Sequence, residues 1–183
     1  MLKHQEAPGR LELVRGFLNT LDLEHGTDRL AGPDDMHRWV RAALPQITAG
    51  RPTETGRLAA VRLREALRAA AAVHSAAAPD PAAHAALDEI TARLPLRLHF
   101  DAALTPGLRP APGHDDVLAG TLLGIVAEAA LDGTWRRLKI CPAEDCRWAF
   151  YDHAKNRMGV WCQMAECGNR AKARRHRGRQ ART

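Results

Sequence analysis

The sequence predicts a mainly α-helical chain with one small β-hairpin, followed by a compact C-terminal module organised by four cysteines. Three observations carry this. Through most of the first 134 positions apolar residues recur at three- and four-residue steps, the signature of amphipathic helices. Cysteine occurs only at Cys141, Cys146, Cys162 and Cys167, with four residues inside each pair and fifteen between the pairs. Charge is also divided unevenly: residues 1–135 hold 14 Lys plus Arg against 17 Asp plus Glu, net −3, whereas residues 136–183 hold 13 against 4, net +9.

Taken in order, Leu11, Val14, Phe17, Leu18 and Leu21 fall on one side of a short first helix. Asp34 or Asp35 is placed to cap a second helix carrying Met36, Trp39, Val40 and Leu44, which Pro45 stops. Residues 53–78 form the longest helical candidate, with Ala60, Leu63, Leu67, Ala70 and His74 along one side and Pro79 as its end. Pro81 suits the first position of a further helix, in which Leu87, Ile90 and Leu94 form the buried stripe before Pro95. Leu96, Leu98 and Phe100 alternate with Arg97, His99 and Asp101, the period of a half-buried strand, and a partner near Leu108 closes a hairpin across Thr105, Pro106 and Gly107. Asp115 or Asp116 caps a last long helix with Val117, Leu118, Leu122, Ile125, Val126 and Ala129 inward, and Gly133 ends it in a left-handed conformation. Six of the eight aromatic residues lie between 100 and 161, so the N-terminal core is built mostly from Leu, Ala and Val.

A length of 183 fits a domain of about 130 residues plus a small appendage. Residues 1–10 lack the apolar core of a secretory leader, and apolar runs such as residues 69–73 are too short to span a membrane, so a cytoplasmic protein is expected. In a reducing cytosol paired cysteines favour metal over disulfides. Two short knuckles at this spacing can place four thiolates around one tetrahedral Zn²⁺, and a closed all-sulfur shell marks a structural ion. Four thiolates and one Zn²⁺ add −2, which leaves residues 136–183 at +7 and points to a polyanionic partner. A module this small cannot hold itself together by apolar burial alone, so the metal would supply much of its folding free energy, with Arg147 or Lys139 offsetting surplus negative charge. No Ser-His-Asp order, phosphate-binding glycine loop or open-sided metal site emerges, and no two histidines stand at helical ligand spacing around a Glu, so no enzyme is expected.

Residues 141–177, CPAEDCRWAFYDHAKNRMGVWCQMAECGNRAKARRHR, closely resemble the CGNR-type zinc finger of bacterial transcription regulators. In that family the finger follows an N-terminal ABATE, or stress-induced regulator, domain, whose counterparts here are FLNTLDL at residues 17–23 and LREALR at residues 63–68. The chain departs from the family's usual residues at Ala154, Val160 and Gln163, none of them a proposed ligand. The resemblance implies a helical, ABATE-like ligand-sensing domain over residues 1–134 and a CGNR-type zinc finger with a basic C-terminal helix over residues 135–183. The order of knuckle, hairpin, and second knuckle running into a helix is similar to the treble-clef plan of GATA-type fingers. A short strand over residues 135–141 would enter the first knuckle, with Trp148, Phe150 and Tyr151 as a small aromatic core and Trp161 as packing beside a ligand.

On the helix from about Gly168 onward, Asn169, Lys172, Arg175, His176 and Arg179 lie on one face, while Arg170, Arg174 and Arg177 reach phosphates at its edge. Phosphate contacts supply affinity, and Asn and Arg can read adenine and guanine edges, so duplex DNA is the expected partner. A solvated charged terminus is the plainer alternative. Asp152, Lys155, Asn156 and Arg157, between the cysteine pairs, either hold the helix or touch a nucleic-acid backbone. The resemblance also implies a small effector, bound by Asn19, Asp22 and Arg64 where their elements meet; a helix cap and a solvated arginine is the alternative. The leading expectation is a DNA-binding regulator, compatible with a homodimer. Its competitors are an RNA- or ribosome-associated zinc protein and a zinc finger that docks an acidic protein.

Overall fold

The computed structural model describes residues 6–45, 50–112 and 116–180, with side chains described for all of these except 175, 176 and 178–180. Among them are six α-helices and three two-stranded antiparallel sheets. No helix among the described residues is long and apolar enough to cross a membrane.

Helix α1 (Leu11–Leu18) buries Leu11, Val14, Phe17 and Leu18 as its periodicity predicts. Leu21 leaves that helix and opens strand β1 (Leu21–Asp22), which pairs with β2 (Thr27–Asp28) in a hairpin that the sequence reading did not anticipate. The turn is local chemistry: the Asp22 carboxylate accepts the His25 amide at 3.1 Å, and Gly26 takes φ +62°. In α2 (Pro33–Ala43) the expected aspartate cap is corrected, because Gly32 is the N-cap and Pro33 the first helical residue. Asp34 and Asp35 sit in the first turn, where they complement the positive end of the helix. Trp39 of α2 packs its ring 5.5 Å from that of Phe17.

Thr53 starts α3 (Glu54–Ala72) by accepting the Gly56 amide at 3.1 Å. The helix is shorter than expected, since a 3-10 turn over Val73–Ser75 and left-handed Ala76 end it before Pro79 is reached. Its inner face carries Ala60, Leu63, Leu67 and Ala71, and also Arg64 and Arg68, each only 2% exposed. Asp80 and Pro81 open α4 (Pro81–Ala92), which packs along α3 through half-buried Leu87 and Ile90.

Strand β3 (Leu96–Phe100) pairs with β4 (Pro106–Pro110), so the hairpin exists, but two details are corrected. Pro106 and Gly107 belong to the strand, and the turn is residues 101–105, held by Asp101 accepting the Ala103 and Thr105 amides at 2.9 Å. Leu98 and Phe100 are 61% and 58% exposed rather than buried. The cause is α5 (Val117–Leu131), which presses on β4. A Cβ at Gly120 would lie 2.6 Å from the Pro110 ring and one at Gly124 3.0 Å from the Leu108 carbonyl, so two glycines let the helix sit against β4 and leave β3 uncovered. Asp116 caps α5 through the Ala119 amide, while Asp115 lies outside the described residues. Leu118, Leu122, Ile125 and Ala129 face the core, Val117 faces out, and Gly133 closes the end at φ +78° as expected.

The C-terminal region begins with a 3-10 turn over Trp135–Arg137, then β5 (Leu138–Ile140) pairs with β6 (Ala149–Tyr151). Leu138, Ile140, Ala149 and Tyr151 enter the same apolar cluster as Phe17, Leu67 and Leu122. Side chains of the first helices fasten this hairpin by its backbone. Asn19 donates Nδ2 to the Ala149 carbonyl at 2.9 Å and accepts the Ala149 amide at 2.7 Å. Arg68 donates to the Leu18 carbonyl and, at 2.7 Å, to that of Arg147. His74 donates Nδ1 to the Leu138 carbonyl at 2.8 Å, and Ser75 Oγ accepts the Ile140 amide at 3.1 Å. Replacing Asn19 by Ala strands a buried donor and a buried acceptor together. Denaturant unfolding of the Asn19→Ala protein should show a loss of about 2–4 kcal/mol; a change under about 0.5 kcal/mol would show that the clamp carries no weight.

Candidate metal centre

Strand β5 delivers Cys141 to the start of the first knuckle, and the hairpin is zipped at its mouth by the Cys141 amide donating to the Trp148 carbonyl at 2.9 Å. Inside the knuckle the Cys146 and Arg147 amides both converge on the Ala143 carbonyl at 3.0 Å. Arg147 then takes φ +49°, which reverses the chain into β6. The second knuckle supplies Cys162 from an irregular segment and Cys167 from a five-residue π-turn, Met164–Gly168, that runs straight into α6 (Asn169–Gln180). Gly168 leaves room there for the Met164 side chain, whose sulfur a Cβ would displace, and for the Trp161 ring, 3.2 Å from that position.

All four Sγ atoms lie within 4.8 Å of one another, with Cys146 to Cys162 and Cys162 to Cys167 both at 3.6 Å. A tetrahedron with Zn–S bonds of about 2.3 Å has edges of about 3.8 Å, so the donor set fits one zinc ion. Cys141, Cys146 and Cys167 are buried, and Ala143, Trp148 and Trp161 pack around them. With four protein sulfurs and this apolar wall the centre is a closed, structural one.

Left to themselves the four sulfurs cannot all ionise. Hydrogen bonds from the Cys146 and Cys162 thiols hold Cys141 well below the usual thiol value, whereas donation to Cys141 pushes Cys146 and Cys162 up. A divalent cation replaces the shared protons, so binding it releases them. The surplus charge is met by Arg170, whose Nη2 donates to Cys167 Sγ at 3.2 Å. Arg147 and Lys139, the cations expected in that role, are engaged elsewhere or exposed.

Lys139 is 6% exposed and its Nζ lies 2.7 Å from Asp152 Oδ2, 2.6 Å from the Arg157 carbonyl and 3.0 Å from that of Gly159. Asp152 accepts the Ala154 and Gly159 amides as well. Burial raises its pKa, but Lys139 and these amides outweigh that and hold the carboxyl below its usual value. The pair therefore shapes the loop between the knuckles; Lys155, Asn156 and Arg157 project from it. The sequence placed Asp152 in this loop with two expected roles, holding the helix or touching a nucleic-acid backbone; its partner here is Lys139, which the sequence reading missed.

The remaining candidates divide by how their polar atoms are used. Asn19 is the Ala149 clamp. Arg64 donates to Asp28 at 2.6 and 3.0 Å, to Thr20 Oγ1 at 3.1 Å and to Glu65 at 2.8 Å. Asp22 turns the β1–β2 hairpin and pairs with His25 Nδ1 at 2.9 Å. On α6, Asn169 donates to the Ala165 carbonyl at 3.0 Å, Lys172 is exposed, and Arg174 stands 3.7 Å from Asp145. The side chains of Arg175, His176 and Arg179 lie outside the described residues.

Metal analysis should return one zinc per chain, and Cys162→Ser should lose both the ion and the fold of the knuckles; full zinc retention would refute the ligand set. Because the sulfurs must be thiolates to bind, zinc affinity in a chelator competition should fall steadily as pH is lowered from 8 to 5. A pH-independent affinity would mean that other donors hold the metal.

The family model of the CGNR zinc finger matches residues 137–180. The model of the ABATE family, described as "Putative stress-induced transcription regulator", matches residues 11–133, more than half of the chain. No match was found among curated proteins. The chain thus belongs to the ABATE family and carries a CGNR zinc finger at its C-terminal end.

Proposed function

We propose that this protein is a bacterial transcription regulator that binds double-stranded DNA through α6, with residues 1–134 as a ligand-responsive domain and residues 135–183 as the reader. The observation that carries this is the placement of α6, which grows directly out of the metal knuckle holding Cys167 and exposes Lys172, Arg174 and Arg177 among its described side chains. Twelve residues at about 1.5 Å each make a rod of about 18 Å, which suits a major groove about 12 Å wide. Ala171 is the inward residue, and Lys172, Arg174 and Arg177 are exposed. Asn169, Lys172 and Arg174, with Arg175, His176 and Arg179 further along the helix, are the contacts we assign to DNA. The zinc contributes no chemistry to a reaction; it fixes the first turn of the helix against the core. In the described conformation Asn19, Asp22 and Arg64 bond to the protein itself, so an effector in the first domain would act by competing with those bonds.

Affinity for a duplex should fall with salt, with a log–log slope of about −0.9 per phosphate neutralised, and Lys172→Ala should weaken binding to all sequences alike while reducing the slope by about 1. Selection of genomic fragments by the zinc-loaded protein should yield a motif. A salt-insensitive complex, or copurified RNA with no DNA motif, would overturn the assignment to duplex DNA.

A further inference from the structure

Arg170 differs from every other described cation of α6. It lies three residues after Cys167, so its side chain folds back over the preceding turn. Its Nη2 donates to Cys167 Sγ at 3.2 Å and its Nη1 to Glu24 Oε1 at 2.9 Å. Asp145 of the first knuckle stands 4.0 Å from the same Nη1. Glu24 is part of the β1–β2 turn, 146 residues away in sequence, and the far strand of that hairpin is held by Asp28 on Arg64 of α3.

We propose that Arg170 is a positioning residue of the metal centre that ties the Cys167 thiolate to the β1–β2 hairpin of the first domain, rather than a contact to nucleic-acid phosphate. Two features of the chemistry require arginine. A hydrogen bond to a ligand thiolate stabilises its charged, metal-binding form, as outer partners of metal ligands generally do. The guanidinium fork also presents separate N–H groups to the sulfur and to the carboxylate, which the single ammonium of lysine cannot duplicate in the same geometry. The metal then binds more tightly when the hairpin is in place, and by reciprocity a loaded centre holds the hairpin. Phosphate would reach Arg170 only by displacing Glu24, so the cations left for DNA begin at Lys172.

The test uses the full chain in chelator competition, with Arg170→Gln, Arg170→Lys, Glu24→Gln and the double variant Arg170→Gln with Glu24→Gln. Both Arg170 variants should bind zinc about 10- to 100-fold more weakly. Glu24→Gln, on an exposed turn that the fold tolerates, should weaken zinc about two- to fivefold at low salt and not at all near 1 M salt. The double variant should be no weaker than Arg170→Gln alone, since Glu24 acts through the arginine. With Co²⁺ in place of zinc, Arg170→Gln should shift the sulfur-to-cobalt charge-transfer band, which a loss of fold stability alone does not do. Unchanged affinity in Arg170→Lys or Glu24→Gln, additive effects in the double variant, or an unshifted cobalt band would overturn the proposal.

Discussion

Four sulfurs within 4.8 Å of one another cannot all be thiolates unless a cation sits among them, and the last forty-odd residues are built around that constraint. The two knuckles, the reversal at Arg147 and the π-turn into α6 each place one or two thiolates and little else. The apolar content of the knuckles is slight, with Ala143, Trp148 and Trp161 as packing, so coordination takes the place that a hydrophobic core has in the first domain. The direction of α6 follows from Cys167, which a single glycine separates from the helix.

Much of this was readable without coordinates because it rests on local rules. Helical periodicity identified most of the buried residues of α1 and α5, Pro81 the start of α4, and Gly133 the end of α5. The cysteine spacing gave the centre outright, since a metal site is a constraint on residue type and separation together. What failed were decisions made by tertiary neighbours. Period-two alternation identified β3 but chose the wrong face, because which side of a hairpin is covered depends on where α5 lies. The turn falls at residues 101–105 rather than 105–107 for a chemical reason: Asp101 offers a better local acceptor than a Pro-Gly pair does.

The buried arginines show the limit most clearly. Arginine within a helix reads as a solvated residue, as it usually is. Arg68 instead bonds carbonyls 50 and 79 residues away, and Arg64 takes an aspartate 36 residues upstream. Nothing in the local pattern distinguishes them from Arg62 on the same helix, which pairs with Glu89 at the surface. The family-typical segments at residues 17–23 and 63–68 hold Arg64, which bonds to side chains, and Asn19 and Arg68, whose side chains in this conformation act chiefly on backbone groups of other elements. Such a role is invisible to composition, since its partner is a peptide group and not a residue type.

Leu138, Ile140, Ala149 and Tyr151 are packed into the cluster that α1, α3 and α5 form, so the strands leading to the metal are also filling material for the first domain. The finger is accordingly no free-standing cassette. Excised, it would carry away part of its neighbour's interior and leave behind an open socket, and grafted onto an unrelated helical partner it would lack the Asn19 and Arg68 groups that satisfy its hairpin. The two parts of this architecture have to be inherited together.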